Sequence, residues 1–574
     1  MISRQSLRGV TLIDALVGSA LVLVIFMALI GLLRSSLLIA SLAKAKAGAT
    51  AVADNQMEYA RSLPYDSVGT VSGIPSGIIP QYSTTTQNGI SYGVRVFIEY
   101  VDDPADGSGA ADTNSITTDY KRVKVAVTYT VRGVLREIDM VSTYAPPSIE
   151  TTTNGGTLKV VVVNASGVAV PGATVRVVNA STSPTVDVST FSDSTGIVLL
   201  GGAATSTEYQ IFVTKNGYSS AQTYARDTTN QNPTPGFLTV VKNQTTASTF
   251  VIDVLSSLTL KTYYPISATS TTDSLNDDSM LTSQSNVQIS GGSLVLSGGG
   301  APGYDTPGSA TLVNVTPSML SSWTTASTTL ALPGGTDIRV HVINASGTQL
   351  PDAVLPGNSA GFNTASIDLS GISTSTYPTL SLRADLTTSA TSTTPSLNVW
   401  SINYLVGPTP APNVSISLTG AKTIGSTGGN ASIYKTTMST TTGASASAAL
   451  ALEWDTYGLT LSGYDVIDAC DAPPYALAPG ISYTNALYLG TLTSNSVLVS
   501  VRDNTGAKIA GATVTLSRSG YNATVTTSVC GTAYFGAISS SSSYTVQISK
   551  SGYTTTSSTN VNLTGHLFYA TSFP

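Results

Sequence analysis

The distribution of hydrophobic and polar positions divides the chain into an apolar N-terminal segment and a long remainder of short alternating segments. Residues 15–33 contain no charged side chain, and an uncharged run of this length can cross a bilayer as a helix. Apolar residues then recur at helical spacing until Pro64, where a helix is expected to stop. We therefore predict one helix over residues 10–63, about 80 Å long at 1.5 Å per residue.

The next region, residues 64–146, predicts a small antiparallel sheet that packs on the outer half of this helix. Two of its segments alternate apolar and polar residues, as half-buried strands do. The inward positions are Val94, Val96 and Ile98 in the first segment and Val123, Val125, Val127 and Tyr129 in the second. The stretch after residue 146 is rich in Pro, Thr and Gly, which is typical of a linker.

Two later segments are copies of one module. "LKVVVVNASGVAVPGATVRVVN" begins at Leu158 and "VLVSVRDNTGAKIAGATVTLSR" begins at Val497. The repeat predicts a sandwich of about seven strands in each copy, over residues 157–260 and 495–574. The copies share two glycines where turns need a positive φ, namely Gly167 and Gly172 in the first and Gly506 and Gly511 in the second.

Residues 412–492 form a third, more divergent copy, in which we place Gly420 and Gly425 at the two glycine positions. The region between the first and third copies, residues 261–406, also alternates strand-like segments with glycine turns and predicts a jelly-roll-like β-domain. Trp323 and Trp400 lie in it as candidate stacking faces for a sugar, and burial in the core is the alternative. The segment "IRVHVIN" predicts that His341 is an ordinary strand side chain.

Composition favours exported β-structure in several domains. Charged residues make up 10% of the chain and hydrophobic residues 41%, which is unlike the highly charged, weakly hydrophobic composition of disordered proteins. The formal net charge is −6, and no long basic block offers a surface for nucleic acid. The length suggests about three to five domains.

Catalytic and metal-binding chemistry has little support in the sequence. The chain has two histidines, His341 and His566, and two cysteines, which disfavours zinc sites and Ser-His-Asp or Cys-His catalysis. No dinucleotide, P-loop, HExxH or GxSxG motif lies in a fitting context. We expect no enzyme activity, no catalytic residue, no cofactor and no metal site. Two carboxylates could still meet in space as in a glycosidase, but no sequence feature supports that alternative.

The two cysteines, Cys470 and Cys530, fall in the third and fourth modules. An even number of cysteines in an exported chain suggests a disulfide, which would join these modules. The chain-entropy contribution for a loop of this size is about 4 kcal/mol. Two free, buried cysteines are the alternative.

The loop between the two alternating segments of residues 64–146 is rich in carboxylates, which are calcium ligands. Its spacing fits no EF-hand loop, so a solvated acidic loop is favoured. The aspartates concerned are Asp102, Asp103, Asp106, Asp112 and Asp119.

An acidic residue stands at the head of the apolar segment. In "RGVTLIDA", Asp14 immediately precedes residues 15–33, and a carboxylate inside lipid is costly and usually functional. These residues resemble the prepilin processing motif of type IV pilins and of the pseudopilins of type II secretion. In an uncleaved anchor, Asp14 would instead snorkel to the interface.

The resemblance implies a specific processing event. Residues 1–9 would form a leader, and a prepilin peptidase would cut after Gly9 and methylate Val10. Asp14 would take the place of the family's glutamate and pair with the α-amino group of a neighbouring subunit. The chain departs mildly from the family pattern at two positions. Asp14 stands where the family has glutamate, and Val10 stands at the first mature position, where the family usually has phenylalanine.

The repeated modules resemble carboxypeptidase regulatory-like domains of the transthyretin-like type. "GVAVPGATV", residues 167–175, matches that pattern closely, and "GAKIAGATV" lacks only its proline. The resemblance implies a structural or adhesive module without catalytic residues. The last strands of residues 261–406 resemble jelly rolls of the galactose-binding or laminin-G-like type, which often bind carbohydrate.

These features together predict an α+β N-terminal pilin module, with a long helix and a small antiparallel sheet, followed by all-β tandem sandwiches. We expect a minor type IV pilin or pseudopilin that enters a pilus-like filament and displays its sandwiches for adhesion. Its expected partners are a prepilin peptidase, other pilin subunits, the membrane and surface glycans or partner cells, and not nucleic acid.

The expected location follows from the same segment. Arg4 and Arg8 precede the apolar run and favour a cytoplasmic N-terminus on a single span of the inner or cytoplasmic membrane. Assembly would then carry the chain to a pilus or the cell surface. A membrane-anchored stalk outside any filament and an exported carbohydrate-active protein are the alternatives.

Overall fold

The computed structural model describes residues 12–101, 118–146, 155–299 and 303–574. These residues form a long N-terminal helix followed by many short strands in mostly antiparallel sheets. The chain divides into two compact units, one of Met1–Leu255 with Lys422–Lys435 and one of Ser256–Ala421 with Thr436–Pro574. The predicted class, a helix and small sheet followed by tandem sandwiches, is confirmed.

Helix α1 spans Leu12–Ser62 and is about 75 Å long at 1.5 Å per residue. It ends just before Pro64, whose ψ of 143° is extended, because a proline disfavours helical backbone in the residue before it. A short 3₁₀ turn, Tyr65–Ser67, follows.

The first sheet is an antiparallel meander in the order β1-β2-β3-β4. Its strands are β1 (Tyr82–Gln87), β2 (Ile90–Val101), β3 (Tyr120–Val131) and β4 (Val134–Tyr144). Two-residue turns with positive φ at both positions, Asn88-Gly89 and Arg132-Gly133, close two of its hairpins and suit the twist of the paired strands. In the β2–β3 register Val96 lies opposite Val125.

The inner face of this sheet and one face of α1 form a single core. The register fixes which residues point inward, and the predicted inward positions of β2 and β3 are all buried. The helix contributes small residues at intervals of three and four, which bring its backbone close to the sheet. The helix residues in this core are Ala45, Ala49, Val52, Ala53, Met57 and Ala60.

The first sandwich follows in the same unit. Its strands are β5 (Gly155–Val163), β6 (Thr174–Asn179), β7 (Val186–Phe191), β8 (Ile197–Ala204), β9 (Ser206–Thr214), β10 (Ala221–Gln222), β11 (Asn232–Pro233), β12 (Leu238–Val240) and β13 (Thr245–Val251). One sheet has the order β13-β5-β8 and the other the order β10-β9-β6-β7, with β12 also paired to β9. Strands β13 and β5 run parallel.

Strand β14 (Ser256–Tyr264) opens the second unit, and the ten strands after it form a sandwich of their own. These are β15 (Ser267–Asp273), β16 (Leu281–Ser285), β17 (Val287–Ile289), β18 (Leu294–Leu296), β19 (Gly308–Leu312), β20 (Leu320–Ala331), β21 (Thr336–Asn344), β22 (Ser366–Asp368), β23 (Leu380–Thr388) and β24 (Ser396–Val406). One sheet has the order β17-β18-β24-β20-β22 with β15 on β24, and the other the order β16-β19-β23-β21.

The third sandwich uses β14 together with strands that follow the jelly-roll-like domain. These are β25 (Thr409–Pro410), β26 (Ser415–Gly420), β29 (Thr437–Thr441), β30 (Ser447–Leu452), β31 (Asp455–Leu461), β32 (Tyr464–Ala469), β33 (Tyr475–Leu477) and β34 (Ser482–Thr491). Between β26 and β29 lie β27 (Thr423–Ser426) and β28 (Ser432–Tyr434), which are outside this sandwich. Its sheets have the orders β25-β14-β34-β32, with β30 on β14, and β29-β26-β31-β33. Strands β27 and β28 form a hairpin of the first unit, where β27 pairs with β11.

The fourth sandwich consists of β35 (Ser496–Arg502), β36 (Thr513–Arg518), β37 (Tyr521–Thr526), β38 (Thr532–Phe535), β39 (Ser541–Ser549), β40 (Thr556–Leu563) and β41 (His566–Ser572). Its sheets have the orders β38-β35-β41 and β37-β36-β39-β40. The first strand, β35, is parallel to the last, β41, as β5 is to β13.

This topology shows where the third copy begins. Its first strand is β14, because β14 pairs in parallel with the last strand, β34. The jelly-roll-like strands are therefore inserted after the first strand of the third sandwich, and the expected boundary between residues 260 and 261 falls inside β14.

The glycine positions that we assigned to the third copy are wrong. Gly420 ends strand β26 and Gly425 lies in β27, whereas Gly167 and Gly172 have φ values of 77° and 68° in the turn region before β6. Strand β26 occupies the place of β6 and not that of β5, so its glycines do not correspond to the pair that precedes β6.

Candidate functional site

The two halves of α1 have different surroundings. The N-terminal half presents large apolar side chains without cover, and Leu16, Phe26 and Leu32 are 63%, 60% and 68% exposed. The C-terminal half packs on the sheet β1–β4. In the part of the chain that the structure describes, α1 is the one helix long and apolar enough to cross a membrane.

Two tyrosines fasten the outer half of α1 to the sheet. The Tyr92 hydroxyl on β2 donates to the Ala45 carbonyl at 3.1 Å, and the Tyr144 hydroxyl on β4 donates to the Met57 carbonyl at 3.0 Å. Tyr92 reaches the helix because residue 48 is glycine. A Cβ on Gly48 would collide with the Tyr92 hydroxyl and lie 2.9 Å from its Cζ.

Lys121 is a buried cation under the same sheet. It is 1% exposed, and its ammonium donates to the carbonyls of Tyr65 and Val68, each at 2.7 Å. The ammonium also lies over the rings of Tyr65 and Tyr100, 4.5 and 5.4 Å from their centroids. Burial lowers the pKa of Lys121 to about 8, with the Asp66 carboxylate acting in the opposite direction. This lysine fixes the turn after α1 to strand β3.

The residues of the expected processing site are only partly described. Gly9 and Val10 lie outside the described residues, and Asp14 lies inside α1 near its described start, with its side chain outside the description. The processing and pairing roles therefore stay predictions. Of the candidate calcium ligands, only Asp119 lies among the described residues. No cluster of three or more potential metal-ligating side chains occurs in the described ranges.

The two tryptophans offered as sugar contacts are core residues. Trp323 and Trp400 are both 0% exposed. The Trp323 indole donates to the Tyr377 carbonyl at 2.9 Å, and that of Trp400 donates to Asp273 Oδ2 at 3.2 Å. A sugar cannot stack on a ring that solvent does not reach, so the structure contradicts this assignment and supports burial. His341 is a buried side chain of β21, as expected.

The first and fourth sandwiches share side-chain contacts as well as topology. Lys215 donates to the Pro171 carbonyl at 2.9 Å, and Lys550 donates to the Ala510 carbonyl at 2.5 Å. In both copies the lysine of the Lys-x-Gly-Tyr ending thus holds the turn that precedes the second strand. This explains why the segment recurs in the two copies, and it assigns the segment a structural role.

Polar contacts join the third and fourth sandwiches within the second unit. Asp471 pairs with Arg502 at 2.9 Å and with Lys508 at 3.2 Å. Burial opposes ionisation of Asp471, but hydrogen bonds from Arg502 and other neighbours outweigh it and lower the pKa of this carboxyl. Asp468 accepts a hydrogen bond from Ser528 at 2.9 Å. These carboxylates come from the end of β32 and the residues after it, and their partners come from the fourth sandwich.

The structure joins Cys470 and Cys530 in a disulfide across this junction. The junction also has an apolar part, since Leu498, Tyr534 and Phe568 of the fourth sandwich pack against the core of the third. The disulfide therefore closes an interface that ion pairs and apolar contacts also hold.

A Ser-His-Asp group lies at the same junction. The small number of histidines in the sequence did not predict it. Asp465 Oδ1 is 2.8 Å from His566 Nδ1, and Ser496 Oγ is 3.0 Å from the same nitrogen. In a catalytic triad the serine and the aspartate contact opposite ring nitrogens, so this arrangement differs from one. Asp465 also accepts a hydrogen bond from Tyr534 at 2.6 Å, and the group links two sandwiches.

Comparison with known families identifies one part of the chain. The carboxypeptidase regulatory-like domain matches residues 496–567, which is the fourth sandwich and confirms the expected resemblance there. No curated protein matches the chain.

Comparison with solved structures returns bacterial proteins, among them pilin subunits. The Bacillus anthracis TIE protein is 9% identical, with 86% of this chain and 74% of that chain covered and a TM-score of 0.16. BcpA, the major pilin subunit of Bacillus cereus, is 10% identical, with 73% and 99% covered and a TM-score of 0.13. The shaft pilin SpaA from Lactobacillus rhamnosus GG is 11% identical, with 29% and 89% covered and a TM-score of 0.12. Because these TM-scores are so low, we infer neither the fold nor the function of this chain from these structures.

Proposed function

We propose that this chain is a membrane-anchored minor pilin or pseudopilin that a prepilin peptidase processes and that enters a filament. Its sandwiches would then be carried outside the cell as an adhesive array. The main support for this proposal is that the two halves of α1 have different surroundings. The outer half is fixed to a small sheet, and the inner half presents an uncovered apolar surface that needs lipid or other helices.

The sequence at the head of the helix supports the same function. The residues around Gly9 resemble a prepilin processing motif, and Asp14 follows Val10 at the spacing at which that family places its glutamate. Cleavage would create an α-amino group that Asp14 of a neighbouring subunit can neutralise. Leaving one member of a buried ion pair without its partner costs about 3–5 kcal/mol, so the pair would favour a helix inside a filament.

The proposal is tested by comparing Asp14→Ala with Asp14→Glu in the producing organism. We expect both variants to be inserted and processed, because neither changes the apolar run or Gly9. Asp14→Ala should reach the sheared filament fraction at least about tenfold less than wild type, whereas Asp14→Glu should retain incorporation. Equal incorporation of the alanine variant would refute the pairing role.

The same experiment addresses the alternative of a stalk outside any filament. A solitary anchor predicts that wild type and both variants remain in the membrane fraction and are absent from sheared filaments. The exported carbohydrate-active alternative has no support from a catalytic arrangement among the described residues, and glycan hydrolysis by the purified chain would revive it.

A further inference from the structure

The face of the β1–β4 sheet that points away from α1 forms one wall of a cavity. Strand alternation places Arg95, Phe97 and Glu99 of β2 on this face, because their neighbours Val94, Val96 and Ile98 point to the helix. The opposite wall is the β7–β8 region of the first sandwich, including Phe191 and Leu199. The cavity has a volume of about 610 Å³, within the range of small-molecule sites.

Direct contacts hold the two walls in place. The Gln81 side chain donates to the Asp187 carbonyl at 2.6 Å, and the Asp187 amide donates to the Ser72 carbonyl at 2.8 Å. Ile74, from the segment before β1, is buried in the core of the first sandwich. The cavity therefore lies between two fixed surfaces of the first unit.

Among the residues that the structure describes, cationic and acidic side chains line the cavity in equal numbers. The cations are Arg95, Arg122 and Lys124, and the acids are Glu99, Glu137 and Asp193. A charged ligand would meet like charges as well as opposite ones, and like charges near each other cost free energy. The balance favours a ligand without net charge that can nevertheless hydrogen-bond to guanidinium and carboxylate groups.

One carboxylate of this lining is desolvated and pairs with Arg122 through one of its two oxygens. Arg122 Nε donates to Glu99 Oε1 at 2.7 Å, and Arg122 Nη2 donates to the same oxygen. Burial raises the pKa of Glu99 in spite of this ion pair. No residue in the described ranges donates to the second carboxylate oxygen, so this oxygen can accept a hydrogen bond from a ligand hydroxyl.

Aromatic rings provide the apolar side of the cavity. Phe191 is 50% exposed, and the Arg95 guanidinium lies 4.6 Å from its ring centroid. Phe97 lies on the opposite wall and packs against the core of the first sandwich. A pyranose ring combines an apolar C–H face with a rim of hydroxyl groups. The C–H face can pack on an aromatic ring, and the hydroxyl groups can hydrogen-bond to the neighbouring guanidinium and carboxylate groups.

We propose that this cavity binds a neutral saccharide, with its hydroxyl groups on Glu99 and Arg122 and its apolar face against Phe191. The inference deepens the adhesive part of the proposed function by naming a site and a ligand class. It does not depend on filament assembly, because every lining residue belongs to the first unit of one chain.

The test is calorimetric titration of the full chain in a detergent without a sugar headgroup. The neutral probes are maltose, lactose and N,N′-diacetylchitobiose, and the charged probes are glucose 6-phosphate and glucosamine. We expect saturable binding of at least one neutral probe with a Kd below about 10 mM. The charged probes should bind at least about tenfold more weakly than that neutral probe.

Three variants locate the binding. Glu99→Ala and Phe191→Ala should each weaken binding by about tenfold or more, because each removes one proposed contact. Glu208→Ala, at an exposed position of β9, is the matched control and should bind like wild type. Thermal unfolding of each variant shows that the fold is retained. No saturable neutral ligand, binding of charged probes alone, or binding that neither cavity variant weakens would overturn the proposal.

Discussion

Replacing Gly48 by alanine is expected to loosen the contact between helix α1 and its sheet. Alanine favours a helix interior over glycine by about 1 kcal/mol, so an isolated helix would become more stable. At Gly48, however, the added Cβ collides with the hydroxyl end of Tyr92. Tyr92 is 1% exposed and has core residues around it, so its ring cannot swing aside freely.

The magnitude follows from what the collision removes. Displacing Tyr92 breaks its hydrogen bond to the Ala45 carbonyl, which contributes about 1 kcal/mol. Overpacking a filled core adds about 1–3 kcal/mol. After the helix propensity gain, local opening of the outer half of α1 should become easier by about 1–3 kcal/mol, or about 5- to 150-fold.

Hydrogen exchange of helix amides measures this local opening directly. In detergent, amides of residues 49–60 should exchange about 5- to 150-fold faster in Gly48→Ala than in wild type. Gly31→Ala is the matched control, since nothing lies within 4 Å of a Cβ at that position of the same helix. It should leave exchange at residues 49–60 unchanged. Equal protection in the two variants would refute the close-packed contact.

Three further predictions concern other parts of the chain. Burial lowers the pKa of Lys121 from 10.5 to about 8 in the folded chain, so between about pH 8 and 10 the unfolded chain binds more protons and the fold gains stability as the pH rises. Hydrogen-exchange protection of β3, corrected for intrinsic exchange rates, should therefore rise over this range in wild type and not in Lys121→Met. Reducing the Cys470–Cys530 disulfide should lower the stability of the C-terminal sandwiches by up to about 4 kcal/mol, and unchanged thermal unfolding would contradict this. Trp400→Phe leaves Asp273 without its indole partner, so it should destabilise the jelly-roll-like domain by about 1–3 kcal/mol in denaturant unfolding without affecting saccharide binding.

The sequence predicted elements where a local period determined the outcome. Helix α1 ends before Pro64, and Val94, Val96 and Ile98 face the core, because helix and strand periods place these residues whatever follows them. Lys121 was detectable in the same way, since it is in phase with the buried Val123. A buried lysine is unusual, and its partners are carbonyls of a turn that strand alternation does not locate.

The remaining features depend on contacts between distant segments. Strand β14 joins the third sandwich through parallel pairing with β34, and the whole jelly-roll-like domain lies between them in sequence. The burial of Trp323 and the cavity beside Glu99 likewise result from packing between elements. Residue type alone gives a tryptophan two roles, in a core or on a binding face, and only the fold chooses between them.

Mass spectrometry of the N-terminal peptide, from chain isolated from its own membrane or filaments, shows whether a prepilin peptidase has processed this protein. We expect a mature chain that begins at Val10 and carries one added methyl group on its α-amine. An intact Met1, or cleavage after the apolar segment as in an ordinary signal peptide, would contradict processing as a pilin.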